Sequence, residues 1–447
     1  MLPLLAILST ANGAELFWDG HYRAQAHLYR SLSLSESNPN RIEQLDYLNH
    51  WLKLSPVFRA APNVSVHTQL DALYLQNFGA TGVLDSDQVI GDESLYFSQR
   101  MEPDSTDGAY GASNIRVSRV WTEWQSPVGL FKLGRMPLDW GTGMVFNPGD
   151  QATQFTGDTV DRFQYSHSFD SIYLMAATEL RNEGFISEMD DSVAGNIALY
   201  YASERIEGGL YALYDHHSQS SVDSSYGELT LDLFGKATSG PLNVEAEFAF
   251  IYGSGDLENG FDNIERMTFG GVLDAHLKFG AFGGGLNLGY AHGDDNPDDK
   301  EFKTFSFDRN YDISLMLFDQ VLPTLAPSVN NTINQGLETS AALTGNAIGN
   351  AMYIQPRFDY RLSEQLQFVA SGLFARAAVL PEGEENKNYG IEANADIIYQ
   401  PTSKLRVQTK LGAFFPGNYF GSASDEVFGG GFDAPAYGAE ANVIVDF

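Results

Sequence analysis

Carboxylates and cations stand opposite one another near the end of this chain, at a spacing that would shape an electric field. In "NYGIEANADIIYQPTSKLRVQTKLGAFF", Glu392, Asn394 and Asp396 alternate with Ile391, Ala393, Ala395, Ile397 and Tyr399. After "QPTS", Lys404, Arg406, Gln408 and Lys410 alternate with Leu405, Val407, Thr409 and Leu411. A two-residue period places the charges on one face of a strand pair and the apolar side chains on the other. That polar face suits a water-filled lumen, since a dry sandwich core could not bury it. Similar alternation assigns Glu228, Asp232, Glu245, Glu247, Asp274, Asp359 and Glu440 to the same face, together with Lys132, Arg266, Lys278 and Arg357. The carboxylates outnumber the cations, so the expected chemistry is electrostatic: a lumen that concentrates cations and orients dipolar or sugar-like solutes.

Covalent chemistry finds little support. His276 and Asp274 share a strand face as a catalytic couple would, but no partnered nucleophile accompanies them, so they read as ordinary polar groups of the lumen. No His/Cys zinc spacing, phosphate-cradling glycine loop or G-x-S-x-G elbow is present, and neither an enzyme nor a bound cofactor is expected. Oxygen-rich loops can hold Ca²⁺, which makes Asp294, Asp295, Asp298 and Asp299 of "HGDDNPDDKE" metal candidates. That cluster and "DSTDG" both lack the twelve-residue calcium-loop pattern, and a solvated acidic loop is the simpler reading. The 58 acidic against 26 basic residues give a net charge of -32, which argues against a nucleic-acid partner. With no Cys there are no disulfides and no thiolate chemistry.

The elements that must position these charges are hairpins. Tight turns are predicted at "APNVS", "SPVG", Phe169 and Asp170, Ser203 to Arg205, "TSGP", Phe279 and Gly280, "RLSE" and "QPTS". Adding a first strand at "LFWDGHYRAQAHLYR" and a last at "AYGAEANVIVDF" predicts an all-β, antiparallel transmembrane barrel of about 18 strands, with sixteen as the alternative. Long connections at 31–42, 77–111, 139–157, 254–263 and 292–350 alternate with the short turns, the pattern of extracellular loops and periplasmic turns. No run approaches the roughly 18 consecutive apolar residues of a spanning helix, so a membrane position requires a barrel. Three irregularities stand out: Arg116, Arg119 and Glu123 share a face only if a bulge falls near Ser118, residues 47–54 alternate poorly, and Pro356 interrupts a strand. Within 292–350, residues 313–321 predict a short helix stopped by Pro323, with a strand as the alternative, and the insert is expected to fold into or over the pore. The apolar run at 2–8 and the small residues after it predict that 1–13 is the remnant of a secretory signal, leaving 14–447 as one barrel domain.

Two stretches carry a resemblance. The last strand puts Tyr437 and Phe447 at its ends with Ala439 and Ala441 between them, and this terminal aromatic resembles the insertion signal of bacterial outer-membrane proteins. The resemblance implies an outer membrane with its lipid and lipopolysaccharide as surroundings, and an assembly machinery that recognises Phe447. The stretch "LGRMPLDWGTGMVFNPGD" resembles the G-R-x-x-x-x-W-G segment of porin-like outer-membrane proteins, including the alginate-export group. By that likeness Arg135, Trp140, Gly141 and Gly143 mark where a strand end bends into the lumen, Arg135 lying beneath the bend. The expectation is a diffusion channel for small hydrophilic solutes, mildly cation-preferring. A polysaccharide exporter and a surface receptor or adhesion barrel are the alternatives, and monomer and trimer both stay open.

Overall fold

Alternation along each strand dictates one sheet with a wet side and a lipid side, and the chain satisfies both by closing that sheet on itself. The computed structural model describes residues 14–31, 44–77, 115–154, 157–182, 192–219, 224–257, 261–296, 299–319, 347–380, 386–421 and 434–447. The expected signal remnant, 1–13, lies outside them.

The first half of the barrel is β2 (Gly20–Arg30), β3 (Gln44–Leu54), β5 (Val64–Asn77), β6 (Ile115–Ser126), β7 (Gly129–Pro137), β8 (Thr159–Phe169), β9 (Ile172–Asn182), β10 (Ser192–Ala202) and β11 (Ile206–Gln219). The second half is β12 (Ser224–Ser239), β13 (Leu242–Leu257), β14 (Phe261–Phe279), β15 (Phe282–Ala291), β17 (Ala351–Arg361), β18 (Leu366–Ala377), β19 (Asn388–Thr402), β20 (Leu405–Pro416) and β21 (Ala436–Asp446). Each strand pairs antiparallel with its neighbours, and β2 closes the ring by pairing with β21, so the barrel has 18 strands. Short strands β1 (Glu15–Phe17), β4 (Val57–Ala61) and β16 (Glu301–Phe302) flank the ring.

Every barrel strand has a partner on both sides, because a closed sheet has no edge to leave in hydrocarbon. The seam joins the two ends of the chain: Gly20 N–H donates to Phe447 O at 3.0 Å and Phe447 N–H to Gly20 O at 2.9 Å. Outside, large apolar side chains such as Leu133, Ile197, Leu233 and Met267 stand exposed, the surface expected of strands that face lipid. Tyr437 and Phe447 belong to this outer surface, whereas Ile444, the apolar exception on the inner face of its strand, is buried.

The irregularities have local causes. Gln69 pairs with Arg119 but Leu70 with Val117, so Ser118 is the extra residue of a bulge that brings Arg116, Arg119 and Glu123 to one face. Strand β3 alternates poorly in sequence because Trp51 points inward, where its indole donates to Asp71 at 2.8 Å and lies near the Arg23 and Lys53 cations. Pro356 faces outward, and the β17–β18 ladder omits Gln355 and Pro356 without changing register, as a residue lacking an N–H requires. The sequence misplaced one element. Residues 313–319 form neither helix nor strand but a turn, with Phe318 at φ 74°, because a wall carboxylate captures the N–H groups that a helix or a ladder would use.

Candidate functional site

Two inward segments narrow the barrel. The first, of which residues 138–154 and 157–158 are described, turns off the end of β7 on glycine: Gly141 (φ 62°) and Gly143 (φ 80°) adopt the left-handed region. The turn seats Trp140 among Tyr200, Tyr211 and Phe146, and its indole N–H donates to Asp232 at 3.1 Å. Glu247, within hydrogen-bond reach of Asp232, accepts from the Thr142 hydroxyl at 2.7 Å and from the Thr142 N–H. A side chain at 141 would collide with the Glu247 carboxylate. On the opposite wall the segment faces cations: Arg23 donates to the Gln154 carbonyl at 2.9 Å, and Arg119 to the Asp150 carboxylate at 2.9 Å and to the Pro148 carbonyl.

The second segment, residues 303–319, brings its own apolar core. Phe305, Phe307, Leu315, Met316, Leu317 and Phe318 bury themselves against Tyr29, Val272, Leu373, Tyr389 and Phe414 of the inner wall. Glycines make room for this contact, as where Phe305 packs on Gly270. Leu315, Met316 and Leu317 direct three consecutive N–H groups at Glu392, at 2.7, 3.1 and 2.6 Å. Gln355 donates to Ile313 O, and Asp312 pairs with Lys410 at 2.9 Å.

The segments also meet each other. Asp308 N–H donates to Met144 O at 2.6 Å, and Gln154 Nε2 to Asn310 O at 3.0 Å. Burial, and then the negative charge of Asp158, pushes the Asp308 carboxyl up to about 7. Burial raises Asp158 as well, although an Asn147 N–H bond and the Arg309 charge oppose the shift.

Between the segments and the wall lies a cavity of about 370 Å³. Arg309, Arg357, Arg406 and Lys410 line it with Asp274, Asp312 and Asp319, and most of its other lining groups are amides, among them Gln151, Asn310, Gln355 and Gln408. Cations and carboxylates thus line one space, Arg357 in contact with Asp274 and Lys410 with Asp312.

Of the selectivity residues read from the sequence, Asp274, Arg357, Arg406 and Lys410 line this cavity. Arg357 binds Asp274 through both carboxylate oxygens at 2.7 and 2.5 Å. Asp232, Glu247 and Glu392 are buried under the segments they hold. Arg266 grips Glu228 at 2.8 Å, His276 meets Asp359 at 2.6 Å, and Lys236 lies 3.9 Å from Glu245. Glu440 is buried with Asn442 and His27, and Asp396 lies opposite Lys410 in the β19–β20 pairing. Lys278 is exposed near the end of β14.

Two placements differ from the sequence reading. Arg135 is turned to the outer surface, where its guanidinium binds Asp161 at 2.6 Å, because it shares the outward parity of Leu133 and pairs with exposed Val120. Lys404 sits in the turn before β20 and not on the strand face. Among the calcium candidates, Asp294 accepts from Asn296 and Lys303 N–H groups, Asp295 pairs with Lys303, and Asp299 accepts from Glu301 N–H. Asp298 lies outside the described residues, and among those described no cluster of three or more metal ligands forms. Sequence reasoning missed Arg23, Lys53, Asp312, Asp308 and Gln154. Arg23 was legible as the inward parity of the first strand, whereas the loop residues carry no periodic signal.

A closed barrel of 18 strands with an apolar outer belt and segments folded into its lumen is the architecture of the outer-membrane porins. Solved structures of that class share the fold. OccK2 (OpdF) of Pseudomonas aeruginosa superposes with a TM-score of 0.55 at 11% identity over 97% of this chain and 98% of its own. A BenF-like porin from Pseudomonas fluorescens Pf-5 gives 0.54 at 12% identity over 97% and 99%. OpdK of P. aeruginosa, solved with vanillate, gives 0.50 at 13% identity over 96% and 98%. No family model matches the chain, and no curated protein does.

Proposed function

We propose that this protein is an outer-membrane diffusion channel for small hydrophilic solutes. The observation that carries the reading is the cavity between the two inward segments, whose charged and amide lining would replace part of a solute's hydration while its walls stay rigid. Two levels of electrostatics act on the solute. The surplus of carboxylates over the whole chain, net -32, favours mild cation preference for simple ions approaching the mouths. At the constriction Arg357, Arg406 and Lys410 stand with Asp274 and Asp312, so dipolar solutes that present both signs would pass best. A small organic molecule, vanillate, in the OpdK structure supports organic solutes as a size class. A cavity of about 370 Å³ is small for a polysaccharide exporter. Long loops suit a receptor or adhesion role equally well, but such a role gives no reason for a hydrated, charge-lined space at the centre of the barrel.

The test is planar-bilayer recording under a salt gradient, with uptake of sugars and amino acids into liposomes. Expected are discrete openings, a reversal potential on the cation side and uptake of small solutes. A properly inserted barrel that passes neither ions nor solutes would leave only the surface-binding role.

A further inference from the structure

Glu392 would ordinarily count among the charges that select permeating ions, since it lies on the inward face of β19. Its surroundings assign it a different task. The side chain has no exposed surface, and both oxygens are taken by the second inward segment: Oε1 by Leu315 N–H at 2.7 Å and Met316 N–H at 3.1 Å, Oε2 by Leu317 N–H at 2.6 Å. Three successive backbone N–H groups form an anion-binding concavity, and here the wall supplies the anion. The donors offset the carboxylate's charge at close range, so little of its field reaches the cavity. The cavity's carboxylates are instead Asp274, Asp312 and Asp319.

The surrounding wall is shaped for the same contact. Leu315 packs where Gly412 and Gly438 leave room for it, and Gln355 holds the carbonyl of Ile313 two residues earlier. We infer that Glu392 is a positioning residue that sets the cross-section of the channel by fixing residues 312–318 in the lumen, and that it is not a charge read by the permeating solute. The inference rests on the channel reading for its effect on permeation, but the latch itself can be judged without it.

The isosteric Glu392→Gln keeps the volume and removes the charge. Its amide nitrogen cannot accept, so at least one of the three N–H groups is left facing a donor. Because the chain has no Cys, Met316→Cys gives a single thiol probe at a position with no exposure, read by a membrane-impermeant maleimide on the detergent-solubilised barrel. Loss of a charge-assisted hydrogen bond should raise the labelling rate by roughly tenfold or more. Asp396→Asn, which neutralises a carboxylate beyond Asn394 on the same strand, should leave the thiol protected. In bilayers, Glu392→Gln should raise single-channel conductance while the reversal potential stays where it was. The inference is overturned if the thiol stays protected in Glu392→Gln, or if the reversal potential moves and the conductance does not. Heat-modifiable migration reports whether the barrel has formed. Should Glu392→Gln prevent that, Leu317→Pro deletes one of the three donors and leaves the wall native, with the same expected labelling. A wild-type barrel that carries no current would refute the channel reading, and the labelling contrast would still decide the latch.

Discussion

The two inward segments reach the same cavity by opposite means. Residues 138–158 are held mainly through side chains, Trp140 in an aromatic pocket, Thr142 on Glu247 and Asp150 on Arg119, with glycines permitting the turn. Residues 303–319 are held by backbone N–H groups on Glu392 and by an apolar core without any sequence motif. A side-chain anchor depends on a few residue types at fixed spacing and is therefore visible in sequence. A backbone anchor tolerates almost any residue at the donor positions and leaves no such trace.

The comparison predicts that side-chain truncations within the segments, which leave the backbone donors in place, damage the first far more than the second. Trp140→Ala should have the largest effect. Removing a buried Trp typically costs about 3–5 kcal/mol, here concentrated on one segment and not on the whole barrel. Limited proteolysis within 138–158 should become fast, while a thiol introduced by Met316→Cys stays protected. Equal release of both segments would show that they form one unit joined through Asp308 and Gln154. Gly141→Ala comes next, since a Cβ at positive φ costs about 1–3 kcal/mol and here it also meets the Glu247 carboxylate. The same proteolysis assay should register it more weakly than Trp140→Ala. If it does not, the turn geometry and not the aromatic pocket dominates the anchor.

The smallest effect concerns the junction of the two segments. Asp308 has a raised pKa in the folded protein, so its protonated form favours the native contact. The stability this contributes is full below the ordinary carboxylate range near 4 and is lost as pH rises through about 7. Because the thiolate is the reacting form, labelling of a thiol introduced by Met144→Cys, at a position with no exposure, is read as a ratio to a solvent-exposed thiol at the same pH, and that ratio should be smaller at pH 5 than at pH 8. Asp308→Asn should make the ratio independent of pH. A pH dependence of the ratio that survives this substitution would place the titrating group elsewhere.

Much of the fold was legible before any coordinate. Alternation indicated which residues face lipid, because a period of two permits only two faces, and the succession of short and long connections pointed to about 18 strands with sixteen as the alternative, of which the structure has 18. Even the bulge at Ser118 could be inferred, since Arg119 and Glu123 could not otherwise join Arg116. The motif, not parity, failed at Arg135: the likeness had suggested a lumenal place for a residue that alternation with Leu133 turns outward.

What the sequence by itself determined is therefore the wall: its strands, its closure, and most of the charges on its inner face, Arg23, Lys53 and Lys404 excepted. What only the tertiary structure decided is which of those charges meet the solute. Asp232, Glu247 and Glu392 occupy the same face of the wall as Arg357 and Lys410, and nothing in a strand's local pattern separates the two groups. The separation arises when distant segments, 138–158 and 303–319, cover three carboxylates and leave Asp274 on the cavity, a matter of contacts between residues far apart in the chain.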